Sequence, residues 1–259
     1  MPHDLDDRWF WRPRPRPDAR FRLFCFPFAG GGPRAFQGWD GWLDPDCELV
    51  GVRLPGRESR IGEPAYSDWK TLLEDTEAVL DPWLDRPFAL FGHSFGAQVA
   101  FRLAARWANQ PGRLLRGLGV SGCAPPHRVR EERRISDLDR DAFFATLVRM
   151  GGMPPEAIAN EAFKTLFEPT LRADMRLAEG WPALEATQVS VPIAASAGIR
   201  DRMALPDAVE EWSQYTESGF SFTVVDGAHF FLREQASRLV PSVSALLREP
   251  GAWGAVGGG

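Results

Sequence analysis

Short apolar runs alternate with helical patterns along most of the 259 residues. Such runs, rich in Val, Phe and Leu, are typical of strands that are buried on both faces of a parallel sheet. They cover 21–28, 48–54, 87–91, 115–121, 191–197 and 220–225. Helical periodicity occupies several of the intervals, at 68–84, 95–107, 205–216 and 233–248. The alternation predicts one α/β domain over 1–259, with a mostly parallel sheet covered by helices on both faces.

Residues from about 125 to 181 interrupt this alternation, because their pattern is helical and contains no convincing strand. An insertion of helices between two strands of a sheet is typical of a lid, and nearly as typical of an ordinary outer layer of helices. Residues 1–20 are rich in Pro and Arg, and 250–259 are rich in Gly. Both ends are therefore predicted to be extended or disordered.

Composition narrows the range of partners and compartments. The net charge of -5 argues against nucleic acid as the main partner. No apolar run approaches the roughly 18 residues that a membrane span requires, and the N-terminal residues lack the apolar stretch of a signal peptide. Three widely spaced cysteines without a C-x-x-C motif indicate a reducing compartment. The sequence therefore predicts a cytoplasmic protein that spans no membrane.

The most specific chemical signal is Gly92-His93-Ser94-Phe95-Gly96, which lies between a predicted strand and a predicted helix. In that context G-x-S-x-G indicates a nucleophile elbow, a sharp turn that exposes the serine hydroxyl, and predicts an α/β-hydrolase fold. The turn also leaves the Phe95 N–H at a helix N-terminus, where it can stabilise developing negative charge. Ser94 is therefore the candidate nucleophile.

A serine nucleophile needs a base, and the chain has only four histidines. His229 follows the last predicted strand, where α/β-hydrolases place the base. The third member of the triad should lie between Ser94 and His229 at the carboxyl end of a strand, and Asp201 fits that place. Two other candidates, Asp207 and Asp226, match the first turn of a helix and a local turn better.

The segment Phe28-Ala29-Gly30-Gly31-Gly32 follows the first of the predicted strands and can form the second half of an oxyanion hole. Ala29 is the favoured donor, and Gly30 stays an alternative. The G-x-G-x-x-G pattern at 117–122 lies within a strand and precedes Pro125 and not a helix, so it predicts no phosphate site. Neither a P-loop nor the spacing of metal ligands is found, so no cofactor and no metal are predicted.

Taken together, these segments resemble the type II thioesterases of polyketide and non-ribosomal peptide assembly lines. The resemblance covers nearly the whole length and depends on the elbow together with these segments: FCFPFAGGG, VRLPGRE, GIRD and GAHFFL. The PGR motif and the HFFL ending are more specific than G-x-S-x-G. Two positions depart from the family pattern: Phe95 stands where Met or Leu is common, and Ala228 where a second glycine is frequent.

The resemblance implies a thioesterase that removes stalled or wrong acyl groups from the phosphopantetheine arm of acyl or peptidyl carrier proteins. A generic serine carboxylesterase would carry the same triad. A chain-terminating cyclising thioesterase is usually a domain fused to a synthase, and a non-catalytic binding protein would not need an intact triad.

Two further hypotheses concern substrate contacts. Carrier proteins are typically acidic, so the charge run 127–134 would dock them through Arg130 and Arg133, although such runs also form solvated helix faces. Phe144 and Phe163 would line an acyl pocket beneath the insertion, although aromatic stripes at helical spacing are more often plain core.

Overall fold

A computed structural model describes residues 7–107, 110, 112–128, 134–180 and 188–247, and it contains one seven-stranded sheet within these ranges. The strands are β1 (Phe10–Trp11), β2 (Phe21–Phe26), β3 (Cys47–Val52), β4 (Phe88–His93), β5 (Leu115–Ser121), β6 (Ile193–Gly198) and β7 (Phe220–Val225). Their order in the sheet is β1-β3-β2-β4-β5-β6-β7. Only β1 is antiparallel to its neighbour.

Strands β2 to β7 lie where the apolar runs predict them, so the predicted α/β-hydrolase architecture is confirmed. Successive side chains of a strand point to opposite faces, and β2 shows both. Phe24 and Phe26 pack into the core on one face, whereas Leu23 and Cys25 pack into the core on the other. A sheet that is buried on both faces needs this continuous apolar pattern.

Helices cover both faces of the sheet. They are α1 (Trp69–Leu80), α2 (Phe95–Trp107), α3 (Arg140–Arg149), α4 (Glu161–Glu179), α5 (Pro206–Glu210) and α6 (Ala236–Ala245). Side-chain caps explain where three of them begin. The carboxylates of Asp68 and Asp139 and the amide oxygen of Asn160 each accept a hydrogen bond from the backbone N–H three residues further along the chain. None of the described helices combines the length and apolar character needed to cross a membrane.

Helices α3 and α4 form the described part of the insertion between β5 and β6. A small apolar cluster of its own holds this layer together, with Phe143, Phe144, Leu147 and Met175 at its centre. Residues 134–180 contain no strand, as the sequence predicts. Whether the layer moves as a lid stays a prediction.

The N-terminal segment lies against the edge of the sheet from residue 7 onward. Phe10 and Trp11 form β1 and pair with β3, so these two residues are extended, whereas residues 7–9 are helical. The Arg16 guanidinium donates to the carbonyl oxygens of Asp44 and Cys47, at 2.8 Å in both cases. Residues 1–6 and 248–259 lie outside the described residues.

A buried carboxylate ties this segment to the amino-terminal edge of the sheet. Glu48 is fully buried in β3 and accepts hydrogen bonds from Arg22 Nε at 3.2 Å, Arg12 Nη1 at 3.4 Å and Arg16 N at 3.2 Å. A buried charge is tolerated only when it is paired and hydrogen-bonded in this way.

We predict that Glu48→Gln destabilises the fold, because it removes the buried carboxylate that pairs with Arg22 and leaves only the half-exposed Asp85 as an ionic partner of that arginine. Breaking such a pair costs about 3–5 kcal/mol, which corresponds to a loss of roughly 6–15 °C in melting temperature for a chain of this size. Calorimetry measures the shift. Asp46→Asn is the matched control, since Asp46 forms an exposed ion pair with Arg20 and its loss should change stability by about 1 kcal/mol or less. An equal shift in both variants would contradict the prediction.

Candidate active site

Ser94 occupies the turn between the end of β4 and the start of α2. Its φ angle of 53° lies in the left-handed region, which is strained for a residue with a side chain. The Ser94 N–H donates to the Ser121 carbonyl oxygen of the neighbouring strand at 2.8 Å. The turn is thus held by the sheet, and the serine side chain lines a cavity at the carboxyl edge of the strands.

The two glycines of G-x-S-x-G are required by close backbone contacts. A Cβ atom on Gly92 would lie 2.0 Å from the Gly96 carbonyl oxygen, and one on Gly96 would lie 2.0 Å from the Phe26 carbonyl oxygen. No side chain can occupy such distances, and the obstacle in each case is backbone that cannot rotate away. The strand, the turn and the helix can therefore cross here only with glycine at both positions.

The structure brings His229 and Asp201 together in the same site. His229 Nδ1 and Asp201 Oδ2 are 2.7 Å apart, and both side chains are almost fully buried. Asp201 follows β6, and its other oxygen accepts hydrogen bonds from Met203 N at 2.8 Å and Ala204 N at 3.0 Å. These backbone donors fix the carboxylate, which in turn fixes the imidazole. His229 Nε2 has no hydrogen-bond partner among the described residues, and the ring lines the same cavity as Ser94.

The other acids and histidines have different environments. Asp207 is exposed in the first turn of α5, and the exposed Asp226 forms an ion pair with Arg200. His127 contacts Tyr215 Oη at 3.0 Å and Glu211 Oε2 at 2.7 Å. His3 lies outside the described residues. Within the described chain, the geometry therefore singles out Asp201 as the partner of His229.

His93, next to the nucleophile, points away from the cavity and lies beside His229. Its Nδ1 is 2.9 Å from Ser121 Oγ, and its ring centroid is 5.1 Å from that of His229. Burial lowers the pKa of His93 well below its usual range, and the nearby His229 ring lowers it further. The ring is therefore neutral at physiological pH, so it does not oppose a positive charge that forms on His229.

Backbone N–H groups for an oxyanion come from two places. Phe95 is the first residue of α2, so its N–H has no acceptor within the helix. Ala29 lines the cavity beside Ser94, and its N–H has no acceptor among the described residues. The N–H of Gly30, by contrast, donates to Asp174 Oδ2 at 2.7 Å. Because the Gly30 N–H is already bonded, the Ala29 N–H is the one of the two that can donate to an oxyanion.

Two connected spaces meet at Ser94. The first is a narrow apolar slot of about 40 Å³, and the second is an open cavity of about 1120 Å³. Ala29, Ser94 and His229 border both spaces. The slot is lined by all four methionines that follow Met1, namely Met150, Met153, Met175 and Met203. Four other apolar side chains complete the lining: Leu147, Leu171, Phe28 and Phe230.

The predicted contact residues of the insertion lie elsewhere. Phe144 is buried inside the insertion against Phe143, and Phe163 stacks on Phe167 with ring centroids 4.4 Å apart. Neither side chain lines the slot or the cavity, in contrast to the expectation from sequence. Phe144 packs in the apolar cluster of the insertion instead, as apolar residues at helical spacing usually do, and Phe163 contacts a residue one turn along its own helix. Arg130 and Arg133 lie outside the described residues.

Comparison with known proteins agrees with this architecture. The family model of the thioesterase domain matches residues 21–247. The chain belongs to the thioesterase family. It is 33% identical to the thioesterase PikA5 of Streptomyces venezuelae, over 91% of this chain and 84% of that protein. The solved structure of the type II thioesterase BorB from the borrelidin biosynthetic cluster superposes with a TM-score of 0.83, at 31% identity over 93% of this chain and 98% of that one. The chain is accordingly a serine hydrolase.

Another relative is named as a dehydrogenase and not as a thioesterase. Linear gramicidin dehydrogenase LgrE of Brevibacillus parabrevis is 31% identical over 95% of both chains. The G-x-G-x-x-G pattern of the present thioesterase lies in β5 up to its last glycine, Gly122, which follows the strand. An irregular segment then leads into a single short turn, Pro126–Arg128. A dinucleotide cradle needs a helix N-terminus directly after the glycines, so this segment provides no such site.

We predict that Gly96→Ala abolishes hydrolysis of a small thioester, because the added methyl group would collide with the Phe26 carbonyl and displace Ser94. We expect a loss of at least about 100-fold in kcat/KM, together with a lower melting temperature. Gly62→Ala is the matched control, since a Cβ there meets nothing within 4 Å. Near-normal turnover by Gly96→Ala would show that the close contact does not position the serine.

Proposed function

We propose that this thioesterase hydrolyses acyl thioesters carried on the phosphopantetheine arm of acyl or peptidyl carrier proteins, and so removes stalled or aberrant acyl units during polyketide or non-ribosomal peptide synthesis. The observation that carries the proposal is the arrangement at Ser94, where an apolar slot and an open cavity meet beside the His229–Asp201 pair. One space suits an acyl group and the other suits the arm that delivers it. Similarity to BorB, a type II thioesterase from the borrelidin biosynthetic cluster, supports the same role.

The proposed mechanism uses only side chains and backbone of this chain. Ser94 Oγ attacks the thioester carbonyl while His229 Nε2 takes its proton, and the N–H groups of Ala29 and Phe95 stabilise the oxyanion. The carbon–sulfur bond then breaks and His229 protonates the departing thiol. A water molecule, activated by His229, attacks the acyl-enzyme, which releases the carboxylic acid and restores Ser94. Asp201 holds the imidazole in the required tautomer throughout.

The slot supports a preference for short acyl groups. Its volume of about 40 Å³ leaves room for only a few non-hydrogen atoms beyond the carbonyl. Its methionine walls are flexible and polarisable, so they can adapt to acyl groups of different shape. An editing enzyme benefits from such a wall, because it must accept short acyl groups that differ in branching and polarity.

The open cavity supports docking of an acidic carrier. Five arginines line it: Arg128, Arg134, Arg149, Arg200 and Arg202. Two of them are already paired, Arg128 with Glu211 and Arg200 with Asp226. Arg134 and Arg202 are exposed and have no carboxylate partner within the described ranges. In a chain of net charge -5, this local concentration of arginine can attract the phosphate of the arm and an acidic surface around it.

Arg130 and Arg133 extend the same proposal, since they lie in the chain between Arg128 and Arg134.

A cytoplasmic location also belongs to the proposed role. Cys25, Cys47 and Cys123 are free and buried, as expected in a reducing compartment. Burial raises the pKa of the Cys47 and Cys123 thiols to about 12, so both stay protonated and unreactive.

The first test is hydrolysis of acetyl, malonyl and longer acyl groups loaded on a carrier protein. We expect turnover by the wild-type chain and none by Ser94→Ala.

Asp201→Asn should lose about 10⁴-fold in kcat with little change in melting temperature, because Asn selects the wrong tautomer of His229. Asp226→Asn is the matched control and should keep most activity. If the enzyme instead prefers an oxoester over the matching thioester, it is a carboxylesterase. If Asp226→Asn loses activity and Asp201→Asn does not, Asp226 is the acid of the triad.

The docking surface is tested by the double substitution Arg134→Glu and Arg202→Glu. We expect KM for an acyl-carrier substrate to rise about tenfold or more, since like charges would then meet across the interface, while the constants for a free acyl-pantetheine lacking the carrier stay unchanged. Arg20→Glu, at the opposite edge of the sheet, serves as the control. Arg130→Glu with Arg133→Glu is compared in the same assay. Equal effects on both substrates would contradict docking at this rim.

A further inference from the structure

A buried ion pair joins the loop after β3 to the insertion. Arg57, in the PGR motif, donates from Nη1 to Asp174 Oδ2 at 2.9 Å and from Nη2 to Asp174 Oδ1 at 3.1 Å. Asp174 lies in α4, and both side chains are at most 3% exposed. The pair lies outside the triad, so the proposed mechanism assigns it no chemical step.

Both partners of this pair also bind the oxyanion loop. Asp174 Oδ2 accepts the Gly30 N–H at 2.7 Å, and Arg57 Nη1 donates to the Gly31 carbonyl oxygen at 3.1 Å. Arg57 Nε donates to the Pro55 carbonyl oxygen at 3.1 Å, which fixes the guanidinium to its own loop. The Ala29–Gly30 peptide unit, through its N–H, and the Gly31–Gly32 unit, through its carbonyl oxygen, are therefore held by side chains from two other segments. Ala29, whose N–H faces the proposed oxyanion, belongs to the first of these units.

One face of α4 is shaped to fit these two loops. Thr170 Oγ1 donates to the Gly56 carbonyl oxygen at 2.8 Å. Gly56 and Gly30 have φ angles of 82° and 71°, and a Cβ on either would lie 2.4 Å or less from Thr170 or Leu171. Thr170 and Leu171 precede Asp174 by four and three residues, so all three project from one side of the helix. The helix thus contacts both loops at the carboxyl edge of the sheet.

Stability alone does not account for such a pair. Removing two charges from water costs several kcal/mol for each ion, and well-packed apolar side chains can often replace a buried pair without loss. What apolar side chains cannot do is accept the Gly30 N–H and donate to the Gly31 carbonyl at the same time. We propose that Arg57 and Asp174 are positioning residues that hold the oxyanion loop, with the Ala29 N–H, in its catalytic geometry.

The inference assumes the oxyanion role of Ala29 given under the proposed function, so its test must separate the two. We would compare Asp174→Asn and Arg57→Lys with Glu48→Gln. Glu48 is the matched control, because it also lies in a buried ion pair with arginine but at the opposite edge of the sheet. Each variant is assayed well below its own melting temperature, for turnover of a small acyl thioester and for the rate at which a fluorophosphonate modifies Ser94.

We expect Asp174→Asn to lower both kcat and the phosphonylation rate about 10- to 100-fold with KM within about threefold of wild type, since a displaced oxyanion donor acts mainly on the transition state. The kcat and phosphonylation rate of Arg57→Lys should lie between those of Asp174→Asn and wild type, because lysine keeps the charge but cannot form the two parallel hydrogen bonds. Glu48→Gln should lose comparable melting temperature yet keep both rates within about twofold, since its ion pair is remote from the site.

Rates for Asp174→Asn that match those of Glu48→Gln would overturn the inference and leave the pair with a structural role only. If Asp174→Asn does not fold, Arg57→Lys supports the same comparison. A wild-type chain that is phosphonylated at Ser94 but hydrolyses no acyl thioester would disprove the proposed function instead. The phosphonylation rates would still decide the role of Arg57 and Asp174, because that reaction needs neither an acyl chain nor a carrier.

Discussion

The crossing of β4, Ser94 and α2 is the constraint from which the site is built. Gly96 lies so close to the Phe26 carbonyl that even one methyl group is excluded, and Gly92 is equally close to Gly96. This contact sets the angle between the helix and the strand, and it keeps Ser94 in a left-handed conformation. The exposed hydroxyl and the unsatisfied N–H of Phe95 both follow from that angle. The local strain is offset by the packing of the sheet on both sides.

Parallel topology brings the remaining parts to the same place. Asp201 follows β6, His229 follows β7 and Ala29 follows β2, so all three lie at the carboxyl edge near Ser94. Electrostatic requirements are met locally. Two backbone donors and His229 satisfy the Asp201 carboxylate, while burial keeps the neighbouring His93 neutral. A proton taken up by His229 therefore finds one fixed negative partner, and the adjacent His93 ring adds no opposing charge.

Strands β2 to β7 and the three triad candidates could be predicted from sequence, because each depends on a local pattern or on chain order, whereas β1 was not predicted. Their catalytic roles stay predictions. Contacts between distant segments could not be read in this way. The choice between Ala29 and Gly30 depends on Asp174, which is 144 residues further along the chain. Likewise, scattered methionines form the slot, whereas the regular stripe containing Phe144 packs inside the insertion, because helical periodicity identifies a buried face and not what covers it.

The position of α4 has a consequence for how the enzyme can open. This helix contributes Met175 and Leu171 to the wall of the slot, and the same helix holds Gly30 through Asp174. If the Ala29 N–H is the oxyanion donor, as proposed, a movement that lifted α4 would widen the entrance and displace this donor in one step. Substrate access and catalytic competence would then be coupled through α4, and an opening that preserves activity would have to come from the α3 side of the slot.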